Sequence, residues 1–166
     1  IFSTLHTCKE LANLENININ VSTTNTNMHN KLDVETNKDI KFEDNFYVKY
    51  YDETIINRFS FQLLINIWKD IKKSDIIHIQ GIFDTPTPIS LFYAKLFNKP
   101  VLLSPRGSLG IWCIGNGSKF KTIWLNYLLK PLVKNINWHA TAQQEKDEIL
   151  SIYPSAKVSI IPNGIE

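Results

Sequence analysis

Apolar and polar positions change rhythm along this chain. From about residue 45, short apolar runs alternate with segments of helical period, the pattern of an α/β protein built on a doubly wound parallel sheet. Over 57–73, Phe59, Leu63, Leu64, Ile67, Trp68 and Ile71 fall on one helical face, and Lys69, Asp70, Lys72 and Lys73 crowd its C-terminal end. The β-branched run Asp75-Ile76-Ile77-His78-Ile79-Gln80-Gly81 then reads as a buried parallel strand ended by glycine. Thr85-Pro86-Thr87-Pro88 supplies an N-cap and an opening proline for a crossover helix over 89–97. A strand over 101–104 and a Gly-rich loop over 105–118 follow.

After that loop, Phe120, Ile123, Trp124, Tyr127, Leu128 and Leu132 recur at helical spacing, which predicts a helix with this face inward and a kink or split at Pro131. The remaining pattern predicts a strand over 136–140, a helix over 143–153 and a last strand over 157–161. Upstream, 9–14 reads as helix and 17–22 alternates like a strand. Residues 23–41, polar and rich in Asn and Thr, read as a long loop.

Composition narrows the classes. The 166 residues are 43% hydrophobic and 20% charged, ordinary for a globular domain with a real core. Eighteen basic and sixteen acidic groups leave a charge of +2, too little to draw the chain to nucleic acid. Cys8 and Cys113 are isolated, which suits a reducing compartment. The four histidines lie at no zinc-ligand spacing, so no protein-bound metal is expected. No apolar run approaches the roughly 20 residues of a membrane-spanning helix.

Four segments taken in order resemble the N-terminal lobe of GT-B glycosyltransferases, specifically glycosyltransferase family 4. They are the strand Asp75 to Gly81, the loop Ser104-Pro105-Arg106-Gly107-Ser108-Leu109, the run His139-Ala140-Thr141-Ala142-Gln143-Gln144-Glu145, and the closing Ile161-Pro162-Asn163-Gly164-Ile165. The resemblance implies a Rossmann-like lobe that holds a glycan or lipid-linked sugar acceptor. It implies a second lobe that binds a nucleotide-sugar donor, with transfer proceeding with retention, often in lipopolysaccharide or other cell-surface polysaccharide synthesis. On this reading 1–161 are the N-terminal lobe, incomplete at its start, and 162–166 begin the linker to the donor lobe, with Asn163 and Gly164 between domains. This lobe alone would bind no cofactor, and the isolated chain would be inactive. The whole enzyme would be cytoplasmic, peripheral to the inner membrane.

Open α/β sheets bind ligands beyond the carboxyl ends of their strands, so 80–84, 105–109 and 141–145 should converge on one rim. Arg106, between Pro and Gly where a strand ends, is the candidate catalytic residue, its guanidinium suited to a phosphate or an acidic sugar. The alternative is a salt bridge that braces the loop. His78, Gly81, Gly107, Ser108, Thr141 and Glu145 are the candidate substrate-binding residues. A satisfied core imidazole is the plain reading of His78, and helix capping that of Thr141. The glycines at 107, 110, 115 and 117 match neither a dinucleotide fingerprint nor a phosphate loop. Lys119, Lys121, Lys130 and Lys134 beside Trp112, Trp124 and Trp138 suggest contact with anionic membrane, against a solvated lysine face over a Trp-containing core. Rival readings are another GT-B protein, such as a sugar-nucleotide epimerase, and a non-catalytic binding module.

Overall fold

The computed structural model describes residues 2–27, 30–54, 59–110, 113 and 119–163. They fall into two compact units, one up to Ile67 and one spanning Trp68–Asn163.

In the first unit, α1 (Phe2–Ala12) precedes a three-stranded sheet. β1 (Ile19–Thr24) runs parallel to β5 (Phe46–Tyr51), Ile19 opposite Phe46, and β4 (Asp39–Glu43) pairs antiparallel with β5 on its other side. The period of two puts Phe46 and Val48 on one face, where they are buried with Ala12 and packed by Leu5, Cys8, Ile19 and Val21. The long loop expected over 23–41 is instead partly ordered. It holds the two-residue strands β2 (Thr26–Asn27) and β3 (Asn30–Lys31), and β4 begins within it. The reason is polar anchoring. Buried Asn25 donates to Asp52 at 3.0 Å and accepts the Glu53 N–H at 2.9 Å, while Lys31 pairs with Asp52 at 2.9 Å. Asn45, at φ 62°, makes the left-handed turn between β4 and β5.

α2 (Phe61–Lys73) starts later than its apolar period suggests. Ser60 caps it, its Oγ accepting the Leu63 N–H at 3.2 Å, and Phe59 stays outside the helix. Leu63, Ile67 and Ile71, four residues apart, are buried.

The second unit is a four-stranded, all-parallel sheet in the order β6 (Ile77–Gln80), β7 (Val101–Ser104), β8 (Asn137–Ala140), β9 (Lys157–Ile160). Ile77 lies opposite Val101, Leu103 opposite Trp138, and Trp138 opposite Val158. The strands follow chain order without a reversal. α3 (Pro86–Leu96) fills the first connection. Thr85 makes no side-chain cap and is itself in helical conformation, so Pro86 at the first helical position opens the helix unaided. Thr87 instead turns inward and donates its hydroxyl to the Gly81 carbonyl at 3.2 Å.

The second connection departs most from its pattern. α4 (Lys119–Ile123) continues as a π-helical turn (Trp124–Leu129) that closes with the Lys130 N–H on the Leu125 carbonyl. The helix is not kinked at Pro131; it ends before it. Leu125, Leu129 and Val133 are buried, whereas Phe120, Ile123, Tyr127 and Leu128 of the expected inner face are exposed. Tyr153 donates its hydroxyl to the Leu125 carbonyl at 3.1 Å, and burial pushes its pKa up to about 12. Trp124 is half-buried, its indole N–H on the Ile82 carbonyl at 2.8 Å. α5 (Gln143–Ile152) buries Ile149 and leads into β9.

Candidate functional site

The carboxyl ends of β6, β7 and β8 each finish on a polar residue or follow one: Gln80, Ser104 and His139. These three and their neighbours form one hydrogen-bonded chain across the sheet. Arg106 donates its Nε–H to Gln80 Oε1 at 2.6 Å and an Nη1–H to Asn163 Oδ1 at 2.9 Å. That contact fixes the Gln80 amide, so its Nε2 faces His78 Nε2, 2.9 Å away. His78 Nε2 lies 2.8 Å from Ser104 Oγ, which lies 2.9 Å from His139 Nδ1. His139 Nε2 must carry hydrogen, because its other partner is the Ile161 carbonyl, 2.8 Å away, which only accepts.

Arg106 gets its place from the backbone. It sits at φ 56° and Gly107 at φ 71°, two consecutive left-handed residues that swing the guanidinium back over the strand ends. Its two partners are neutral amides, and among the described residues it makes no ion pair. The expected alternative of a bracing salt bridge is thus replaced by a bracing pair of amides, which leaves the positive charge without a contacting counter-ion.

His78 is exposed rather than the core imidazole of its plain reading. Protein atoms around its inner edge still withhold water from the ring. That desolvation, then electrostatic interaction with His139 and with the Arg106 guanidinium, brings its pKa from 6.5 down to about 4, so the ring is neutral near pH 7. A neutral imidazole at a rim can hydrogen-bond a hydroxyl group without repelling the neighbouring guanidinium.

Glu145, 5% exposed, faces inward. Its Oε1 accepts the Gly107 N–H at 2.7 Å, and its Oε2 accepts both the N–H and the hydroxyl of Thr141, at 2.7 and 2.9 Å. Burial works against the charge, but the N–H groups of Thr141 and Gly107, the Thr141 hydroxyl and the Arg106 charge outweigh it and lower the pKa. Glu145 and Thr141 thus saturate each other and tie the first turn of α5 to the loop after β7, a variant of the capping box. The Gly107 N–H is consumed in this tie, and the Ser108 N–H by the Pro105 carbonyl at 3.3 Å. Nothing lies within 4 Å of where a Gly107 Cβ would be, so only its left-handed φ of 71° calls for glycine.

An open depression of about 310 Å³ adjoins this loop, lined by Gly107, Gly110, Thr141, Gln144, Glu145 and Glu148 among others. It does not reach His78 or Arg106. Gly81, at φ 88°, ends β6 and sends the chain toward α3. Gly164 lies outside the described residues, as does Trp112; Trp138 is core, packed on Tyr153 with ring centroids 5.1 Å apart.

The sequence patterns singled out Arg106 and His78, which lie in this hydrogen-bonded row, but passed over Ser104 at its middle. Gln80 and Ser104 are paired by register across β6 and β7, and reading polar residues across neighbouring strand ends would have found both. Among the described residues no three His, Cys, Asp or Glu side chains are grouped to hold a metal, and no helix is long and apolar enough to cross a membrane. No family model matches the chain, and no curated protein matches it.

Proposed function

We propose that this chain is the acceptor-side lobe of a retaining, nucleotide-sugar-dependent glycosyltransferase of GT-B type, similar to family 4 and acting in cell-surface polysaccharide or lipopolysaccharide synthesis. The observation that carries the reading is the Arg106 guanidinium, held over parallel strand ends by two neutral amides and making no ion pair among the described residues. The four-stranded parallel sheet agrees with a Rossmann-like lobe, and a doubly wound GT-B lobe is the fold this reading implies.

On this reading Arg106 offers charge to the leaving diphosphate of the donor or to an acidic group of the acceptor. Neutral His78 and Gln80 bind acceptor hydroxyls, and the open space over Gly107 admits the sugar ring. Glu145 and Thr141 keep the loop in place from behind. The nucleotide sugar is a co-substrate bound mainly by a second lobe, with no cofactor held here.

The test is nucleoside diphosphate release from a panel of nucleotide sugars, with oligosaccharide and lipid-linked acceptors, by the longest natural chain that contains these residues. Arg106→Ala should lower kcat/KM by roughly ten- to more than hundredfold at unchanged melting temperature. Arg106→Lys should recover only part, since an ammonium lacks the planar fork. No turnover with any donor refutes the reading, and normal kcat/KM with a lowered melting temperature makes Arg106 a brace.

A further inference from the structure

Asn116 and Asn163 are the two asparagines of the chain that glycine follows. A glycine nitrogen, with no Cβ beside it, is the backbone nitrogen least hindered from attacking the side-chain amide of the residue before it. Asn163 is held where such an attack is assisted. Ile161 is fixed on both sides, its N–H on the Ala140 carbonyl at 2.9 Å and its carbonyl on His139 Nε2 at 2.8 Å, and Pro162 locks the next φ. Asn163 itself is exposed, and its Oδ1 accepts an Nη1–H of Arg106 at 2.9 Å. A guanidinium only donates, so the amide turns its oxygen to Arg106 and its Nδ2 away.

Attack of the Gly164 nitrogen on Asn163 Cγ moves the carbonyl electrons onto Oδ1. A charged donor already seated on that oxygen stabilises the charge as it develops, as an oxyanion hole does. We propose that Asn163 is a self-modifying site, at which Arg106 promotes deamidation to aspartate and thereby acquires a counter-ion. The bond from the backbone nitrogen to Cγ forms, the Cγ–Nδ2 bond breaks, and Nδ2 leaves as ammonia with the hydrogen that the backbone nitrogen gives up. Water then opens the five-membered imide. Addition at Cγ restores the peptide N–H and leaves an aspartate side chain, whereas addition at the backbone carbonyl routes the chain through the side chain and leaves the carboxylate on Cα. Arg106 makes no ion pair among the described residues, and Gln80 holds its Nε side, so the guanidinium stays within reach of the new carboxylate. The charge at this rim is neutralised once, in one direction.

The effect of this change on catalysis rests on the glycosyltransferase reading; its occurrence does not, and the test uses no sugar. The longest natural chain that contains these residues is incubated in mildly alkaline buffer beside a synthetic peptide of sequence 159–166. Peptide mapping by mass spectrometry then follows aspartate and isoaspartate at position 163. The folded chain should deamidate there about tenfold faster than the free peptide. Arg106→Ala, at unchanged melting temperature, should bring the rate down to that of the peptide, and so should unfolding the parent in urea. Arg106→Lys should fall between, since an ammonium lacks the aimed fork. Asn116, followed in the same digests, should not respond to Arg106→Ala. A folded parent no faster than the peptide overturns the proposal. So does a folded Arg106→Ala variant that reacts like the parent, or one that slows Asn116 by the same factor.

Discussion

Gly107 donates its backbone N–H to Glu145 Oε1 at 2.7 Å, across 38 residues of sequence. This bond makes the loop after β7 and the first turn of α5 a single piece. Glu145→Ala should lower the unfolding free energy by about 1–3 kcal/mol, because it strands two part-buried backbone N–H groups. Glu145→Gln should recover less than half, since an amide has one acceptor oxygen. Urea denaturation reads both. The native carboxyl has a pKa below its ordinary 4.5, so its contribution is complete above that pH and is lost as pH falls through the lowered native value. A parent and a Glu145→Gln variant whose stability difference is flat down to strong acid would contradict this assignment.

His78 carries a pH dependence of the same sign in a higher window. Its native pKa of about 4 lies below the 6.5 of the free side chain, so between these values the unfolded chain takes up a proton that the folded chain refuses. Stability should therefore decline as pH drops from 6.5 toward 4 and level off below. His78→Asn should flatten that part of the profile. Proton NMR should show the ring neutral at pH 5; a midpoint at or above 6.5 removes the effect.

Two glycines at strand ends separate crowding from backbone strain. Gly107→Ala meets only the left-handed φ of 71°, a cost of about 1–2 kcal/mol. Gly81→Ala, at φ 88°, also places its Cβ 2.5 Å from Asp84 Oδ2, so the carboxylate must turn aside. Thermal melting should rank Gly81→Ala as the more damaging. The reverse order would show that the Asp84 side chain yields freely and that another demand acts on Gly107.

The inner face of the π-helical turn is tested by a pair of truncations. Leu129 is fully buried, and Leu129→Ala should cost about 3 kcal/mol. Tyr127→Ala should change stability by no more than about 0.5 kcal/mol. Denaturant midpoints distinguish this from the face read off the helical period, which predicts the larger loss at Tyr127.

That reversal shows where sequence reasoning reached its limit. The strand Val101–Ser104 was legible to the residue, because its apolar run is bounded by Pro100 and Pro105, and β6, β8, β9 and α5 were found within a residue or two for similar reasons. The helix before Pro131 was legible as a helix but not in its orientation. Apolar residues occur on every side of it, and period alone cannot tell which stripe is covered. The aromatic strand β5 was missed although Phe46 and Val48 alternate into the core, and the short strands before it were missed because Asp52, Asn25 and Lys31 meet only in the folded chain. At the rim, Arg106 was visible as an arginine between Pro and Gly, whereas its attachment to Gln80 and Asn163 depends on strand register and on a left-handed backbone that the residue type does not announce.

Ser104 has one hydrogen and two claimants for it. Gln80 already points an N–H at His78 Nε2, and the Ile161 carbonyl holds the hydrogen of His139 on Nε2, so with both rings uncharged neither nitrogen beside the serine has a hydrogen of its own. The hydroxyl can turn to one of them, and its oxygen then confronts the lone pair of the other at under 3 Å. The row from Arg106 to Ile161 is therefore one hydrogen short of complete, and the hydroxyl is better spent on His139, because the Gln80 N–H already takes the one lone pair of His78 Nε2.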